Sequence, residues 1–316
     1  MRIAASVVLT VLSLMSWMVP AGEPDLKAPL KDEELQKIVA ASPDKPSAAP
    51  KKPRKVLCFW KTPGFKHTVI PCTNAAVETL GKKTGAYQTV ISDDPAMFET
   101  AKLAEFDAVI LNNTCGANVK IDGKERLREI FITSDILKLP ADQQKAALQK
   151  DEELKKNFEA FVKGGKGLVG IHGASGAFHS WPAFGDMLGA LFKWHPAPFK
   201  AKIKLDDPKS PLLAAFGGNG FEIKEECYVV GDPFSREKVH VLLTIETTEP
   251  FAKNPRPDGD YAMAWIKRYG EGRVFYNAFS HFDETFKDPK MLRFLLDGIQ
   301  FAIGDLEADA SPSGKK

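Results

Sequence analysis

The sequence predicts an α/β fold, a central, mainly parallel sheet with helices on both faces and an antiparallel extension. Three observations predict it. Strand-like and helix-like patterns alternate through the first half of the chain, as βαβ units require. Asp107 to Asn112 (DAVILN) is almost continuously apolar, as a strand buried on both faces should be. The second half is rich in short strand patterns and closes with one amphipathic helix.

In chain order, Lys55 to Trp60 reads as the first strand, Ile70 to Lys82 as a helix and Tyr87 to Ile91 as the second strand. After the third strand (107–112), Asp142 to Val162 is a long helix. Leu154, Phe158, Phe161 and Val162 form its apolar stripe and Gly164 its stop. Lys166 to His172 is the fourth strand. Further strands are expected at Lys200 to Leu205, Glu222 to Val230, Val239 to Ile245, Ala262 to Arg268 and Gly272 to Ala278. Asp288-Pro289 opens the last helix, with Pro at its first position, and Gly304 ends it.

The 316 residues are 44% hydrophobic and 27% charged, the proportions of a folded globular chain. The 43 basic and 41 acidic residues leave a net charge of +2. That balance gives no footprint for nucleic acid or an anionic membrane surface. Arg2, the apolar stretch from Ile3 to Val19 and the Val19-Pro20-Ala21 site read as a secretory signal peptide, residues 1–21. The protein is then expected to be exported, periplasmic or secreted, and to meet the membrane only through that signal. Residues 22–54 are Pro-, Lys- and Ala-rich and read as a linker with one short helix at Asp32 to Ala41. The folded domain is expected over 55–304, and 305–316 as a frayed, disordered tail. Cys58, Cys72, Cys115 and Cys227 match no zinc spacing. A domain of this size needs no staple, so no obligatory bridge is expected.

Ligands in open α/β sheets bind at the carboxyl ends of the strands. Those ends are occupied here by Lys61-Thr62-Pro63-Gly64-Phe65-Lys66-His67, by Asn112-Asn113-Thr114-Cys115, by His172-Gly173-Ala174-Ser175 and by Ser280-His281-Phe282-Asp283-Glu284. His195 follows Trp194 in a later loop, and Glu225-Glu226 lies in a strand. A lone His at a strand end is more often a hydrogen-bonded loop residue than a ligand. Several on one edge point to shared chemistry. Imidazoles with a carboxylate suit zinc or a similar divalent ion, and without metal they serve as acids and bases. His67, His172, His195 and His281 form the candidate metal set. His172, His67, His281 and Glu226 form the candidate catalytic set. Lys61, Thr62, Asn113, Ser175, Trp194 and Glu284 are the candidate substrate-binding residues. Because Glu225 and Glu226 alternate on a strand, one of them is expected to face solvent. His179 and His240 read as ordinary. No P-loop or dinucleotide fingerprint is present.

Four segments resemble those of ThuA-like (trehalose utilisation) proteins. KTPGFKH (61–67) resembles K-T-x-G-[FY]-R-H, and GGKGLVGIHGAS (164–175) resembles G-G-G-x-x-G-I-H-x-A-S. FKWHP (192–196) resembles F-x-x-H-P, and GRVFYNAFSHFDET (272–285) resembles G-R-V-F-Y-x-x-x-G-H-x-x-E-T, with Ser280 in place of Gly. The resemblance implies a class I glutamine amidotransferase-like, flavodoxin-like sandwich. In amidotransferases the elbow after the fourth strand reads G-x-C-x-G. Here His172 stands where the nucleophilic Cys would be, and imidazole cannot replace a thiolate in a thioester. The resemblance therefore implies a small-molecule carbohydrate or keto-glycoside as partner and proton transfer at a sugar as the chemistry. The alternative is a non-catalytic carbohydrate-binding or docking protein on the same fold. The long Val119–Leu139 connection is expected to be a lid or an interaction surface.

Overall fold

The computed structural model describes residues 24–314. The expected signal peptide, 1–21, lies outside the described residues. Helix α1 (Asp32–Ala41) precedes β1 (Lys55–Phe59), α2 (Ile70–Thr84), β2 (Gln88–Ser92), α3 (Thr100–Leu103) and β3 (Ala108–Asn112). A hairpin follows, β4 (Ala117–Ile121) and β5 (Lys124–Glu129), then α4 (Ala141–Lys163), β6 (Gly167–Ile171) and α5 (Pro182–Leu188). The strand-rich half comprises β7 (Leu191–Trp194), β8 (Phe199–Leu205), β9 (Phe221–Glu225), β10 (Val229–Gly231), β11 (His240–Ile245), β12 (Ala262–Tyr269) and β13 (Gly272–Asn277). Helix α6 (Pro289–Ala302) closes the chain, capped by the Asp288 carboxylate on the backbone N–H groups of Lys290 and Met291.

Nine strands form one sheet in the order β2-β1-β3-β6-β13-β12-β11-β8-β9. The first five run parallel and the rest add antiparallel. The interior strands are solidly apolar because helices cover both faces: β3 and β6 are buried at every position. In register, Ile171 of β6 pairs with Asn112 of β3 on one side and Asn277 of β13 on the other. Three strands thus end level with one another, and the residues just beyond them meet.

The structure corrects three expectations. Residues 31–54 are not a loose spacer. Ile38 of α1 is fully buried in the main core, and Lys83 closes the C-terminal end of α1 by donating to the carbonyls of Val39 and Ser42 (2.9 and 2.7 Å). Beyond it, Ser47 N–H donates to Gln300 Oε1 (2.9 Å), and Arg54 pairs with both Asp107 and Asp305. The proline breaks removed helix and strand signals but left the polar backbone groups free to dock. The tail likewise packs: Leu306, Ala308 and Ala310 lie against the core, and Ser313 N–H donates to Val239 O at 3.0 Å.

The single strand expected over 222–230 is two strands, broken at Glu226-Cys227-Tyr228. The 119–139 connection holds the β4–β5 hairpin, and Val119 and Ile121 of β4 pack with Ile132 and Ile136 beyond β5 against Ala147 and Leu148 of α4. Buried Lys155 ties the two together, 2.7 Å from Glu129 and 2.8 Å from Asp151. Gly116 is obligatory where the hairpin begins, because a Cβ there would lie 1.7 Å from Arg128 O. All four cysteines are buried free thiols. Among the described residues no helix is long and apolar enough to cross a membrane.

Candidate metal centre

The level strand ends place the site. His172 follows β6 directly and opens a 3₁₀ turn, His172–Gly176, at φ +42. A non-glycine residue in the left-handed region marks an imposed bend. Here it makes a tight elbow that lifts the imidazole above the sheet. Asn113, after β3, also has positive φ, and its Oδ1 accepts the Gly173 N–H at 3.2 Å. Gly173 must lack a Cβ, which would sit 2.9 Å from Cys115 Sγ and 3.1 Å from His67 Cε1. His67 therefore packs directly on the elbow.

His67, His172, Glu226 and His281 each offer one ligand atom, and these atoms lie within 4.8 Å of one another. Three are closer still. His281 Nδ1 is 3.3 Å from His172 Nε2. Glu226 Oε2 is 3.4 Å from His172 Nε2 and 3.1 Å from His281 Nδ1. A tetrahedral ion with bonds of about 2.0–2.1 Å sets its ligands about 3.3 Å apart. The triangle has that edge. His172 Nδ1 lies 2.6 Å from the Ala278 carbonyl, which can only accept, so Nδ1 carries the hydrogen and Nε2 turns its lone pair to the cluster.

The electrostatics favour a neutral His67 and an ionised Glu226. Burial, reinforced by the neighbouring His172 and His281, pushes the His67 imidazolium down to about 2, so the ring is neutral. Burial opposes ionisation of Glu226, but hydrogen bonds and charge from His172 and His281 outweigh it and hold the carboxyl below its ordinary range. Burial also opposes the charged form of His281, which the hydrogen bond and charge of Glu226 more than offset, so its pKa is raised. Cys115 lies 3.8 Å from His67 Nδ1, yet burial pushes its thiol up to about 12, so it is no activated nucleophile. The donor set of three imidazoles and one carboxylate fits zinc or a related divalent ion.

His195 lies beside this group rather than in it. Its Nδ1 is 3.3 Å from Glu226 Oε1 and 2.9 Å from Pro196 O, and the ring is partly exposed. Glu226 takes the fourth place in the cluster that the sequence assigned to His195. The expected substrate-binding residues do not converge. Thr62 Oγ1 donates within its own loop to Phe65 O (2.7 Å). Asn113 bonds Asn112 and Gly173, and Ser175 Oγ shares a hydrogen bond with Tyr276 Oη at 2.9 Å. Trp194 lies edge-on to Phe251 against the core. Glu284 is exposed in the turn after His281, and Lys61 lines a surface cleft with Trp60 and Lys66.

Three site residues escaped the sequence reading. Tyr228 stacks at 4.1 Å on the His172 ring, and its hydroxyl is 3.4 Å from His67 Nε2. Phe65, largely exposed, lies edge-on to His67 at 4.7 Å. Glu225 and Glu226 are both buried, correcting the expectation that one faces solvent: β9 ends at Glu225, and strand alternation stops there.

A flavodoxin-like sheet with an elbow after its fourth parallel strand defines the class I glutamine amidotransferase-like proteins, here with imidazole where those enzymes carry a thiol. The family model for ThuA (trehalose utilisation) matches residues 55–133 and 139–302, and the chain belongs to that family. Two solved ThuA-like proteins share the fold. The one from Bacteroides uniformis is 19% identical, with a TM-score of 0.56 over 80% of this chain and 93% of that one. The one from Parabacteroides merdae is 15% identical, with a TM-score of 0.55 over 82% and 93%. No curated protein matches the chain.

Proposed function

We propose that this protein is a divalent-metal-dependent enzyme, of zinc-site type, that moves a proton on a sugar or keto-glycoside. The triangle of His172 Nε2, His281 Nδ1 and Glu226 Oε2, with edges of 3.1–3.4 Å, carries the reading. The family's description, trehalose utilisation, supplies the substrate class. A bound ion would act as a Lewis acid toward a sugar carbonyl or hydroxyl. His67, His172, His281 and Glu226 would hold it. His195, partly exposed and in contact with Glu226, is positioned to exchange protons with a substrate at the mouth. Tyr228 fixes the faces of His67 and His172. Phe65 offers an apolar ring face at the rim, suited to the C–H face of a pyranose. His172 at the elbow speaks against amidotransferase chemistry, because no thioester can form there.

Export belongs to the same proposal and rests on Arg2, the apolar run Ile3 to Val19 and the small residue Ala21. Mass spectrometry of the mature N-terminus would test it.

The functional test is a screen of disaccharides and their keto forms with zinc-loaded, metal-stripped and His172→Ala protein. Turnover lost on stripping, restored by zinc and absent in the variant is the expected result. Turnover indifferent to all three treatments would overturn the reading. Sugar binding without any product would favour a binding protein instead.

A further inference from the structure

Glu225 is fully buried at the end of β9. Its carboxylate accepts four hydrogen bonds, all from uncharged donors. Oε2 accepts the backbone N–H of Ser280 at 2.8 Å and the Thr285 hydroxyl at 3.3 Å. Oε1 accepts the backbone N–H of His281 at 3.2 Å and that of its neighbour Glu226 at 2.9 Å. One carboxylate therefore grips both backbone segments that carry two corners of the triangle. The grip is needed. Ser280 sits at φ +104, a conformation that L side chains adopt only when the surroundings impose it. Three of the four bonds go to residues 280–285.

We propose that Glu225 is a positioning residue for the metal centre: it fixes the 280–285 loop and the Glu226 backbone so that His281 Nδ1 and Glu226 Oε2 meet at 3.1 Å. The inference rests on the metal reading above. Glu225 touches neither substrate nor ion. It acts through His281 and Glu226, as outer partners of metal ligands do. A carboxylate suits the place because it only accepts, and four donors converge on its two oxygens.

The test is Glu225→Gln. The amide keeps the size but aims N–H groups at backbone N–H groups. Zn²⁺ affinity is measured by competition with a chromophoric chelator, and ligand geometry by the visible absorption of Co²⁺-loaded protein. The expected result is Zn²⁺ binding weakened about 10- to 100-fold and an altered Co²⁺ spectrum, while metal-free protein still unfolds cooperatively. A variant that melts earlier but binds Zn²⁺ as the parent does, with the parent's Co²⁺ spectrum, would show a purely structural role and overturn the proposal. Should Glu225→Gln fail to fold, Thr285→Val removes one donor more gently. It is expected to weaken Zn²⁺ several-fold, and unchanged affinity there would overturn the proposal as well. A parent protein that binds neither Zn²⁺ nor Co²⁺ sinks the metal reading and this inference together. A parent that binds while both variants bind equally well sinks this inference alone.

Discussion

His281 Nδ1 and His172 Nε2 face each other at 3.3 Å, although 109 residues separate them in the chain. His172 has its Nδ1 hydrogen directed to Ala278 O, so its lone pair points inward. Two inward nitrogens beside the Glu226 carboxylate need a cation or a shared proton between them.

That relationship separates His281 from His195. His281→Ala removes a corner of the triangle and is expected to weaken Zn²⁺ binding by at least about 100-fold, the scale of a lost ligand relative to outer-partner effects of 10–100-fold. His195→Ala, whose ring meets Glu226 at its outer oxygen Oε1 rather than at the triangle, is expected to stay within about 10-fold of the parent. Equal losses in the two variants, measured by chelator competition on folded protein, would mean that the centre is not the triangle.

Ser280 carries strain that glycine would not. At φ +104 the side chain costs roughly 1–3 kcal/mol, against about 0.5–1 kcal/mol for the extra freedom of glycine when unfolded. Ser280→Gly is therefore expected to stabilise by about 1 kcal/mol, raising Tm by about 2 °C in a chain of this length. Ser280→Ala keeps the Cβ and should bring no such gain. Calorimetry on both variants decides the matter, and a destabilised glycine variant would argue against strain.

The docking of α1 predicts that it melts with the domain. Ile38 is fully buried, so Ile38→Ala should cost about 2–5 kcal/mol. Urea denaturation should remain one transition. A loss below about 0.5 kcal/mol, the usual scatter of surface substitutions, would return α1 to the status of a spacer.

Asp297 on α6 gives a pH dependence. Burial raises its pKa from 3.8 to about 7, and the Ser47 hydroxyl and Arg293 offset this only in part. The folded protein thus holds an extra proton between those values, so stability falls as pH rises from about 4 through about 7 and then levels off. Asp297→Asn should match the parent near pH 4 and exceed it at pH 8 by on the order of 4 kcal/mol. Denaturation curves at the two pH values test the sign. A variant less stable at pH 8 would show that the carboxylate is satisfied when charged.

Hydrophobic patterning made most of this fold legible. Apart from β9, which stops at Glu225, the strands of the main sheet and the long helices fall within a residue or two of the sequence reading, because buried runs such as AVILN in β3 have no other use. Only Asp122-Gly123, both at positive φ, marks the hairpin in the sequence, as a turn signal. Its strands alternate too weakly to stand out beside polar KERLRE. In the site, His67, His172 and His281 were legible from the strand-end rule alone. Glu225 and Tyr228 were not, since nothing in periodicity shows a strand stopping one residue before Glu226. Thr62, Asn113 and Ser175 are held by hydrogen bonds within or between the turns that build the strand exits, whereas Lys61 and Glu284 stay open to solvent.

The sheet order has a consequence in time as well as in space. Strand β13, among the last to emerge from the ribosome, occupies the middle of the sheet between β6 and β12. Until residues 272–277 exist, the wholly apolar β6 is an open edge, and synthesis has delivered only two corners of the triangle. Such an edge templates aggregation, and pairings this distant along the chain close slowly. A nascent chain stopped at residue 271 is expected to be captured by holdase chaperones or to aggregate, and β13 closes the edge just before His281 delivers the third corner.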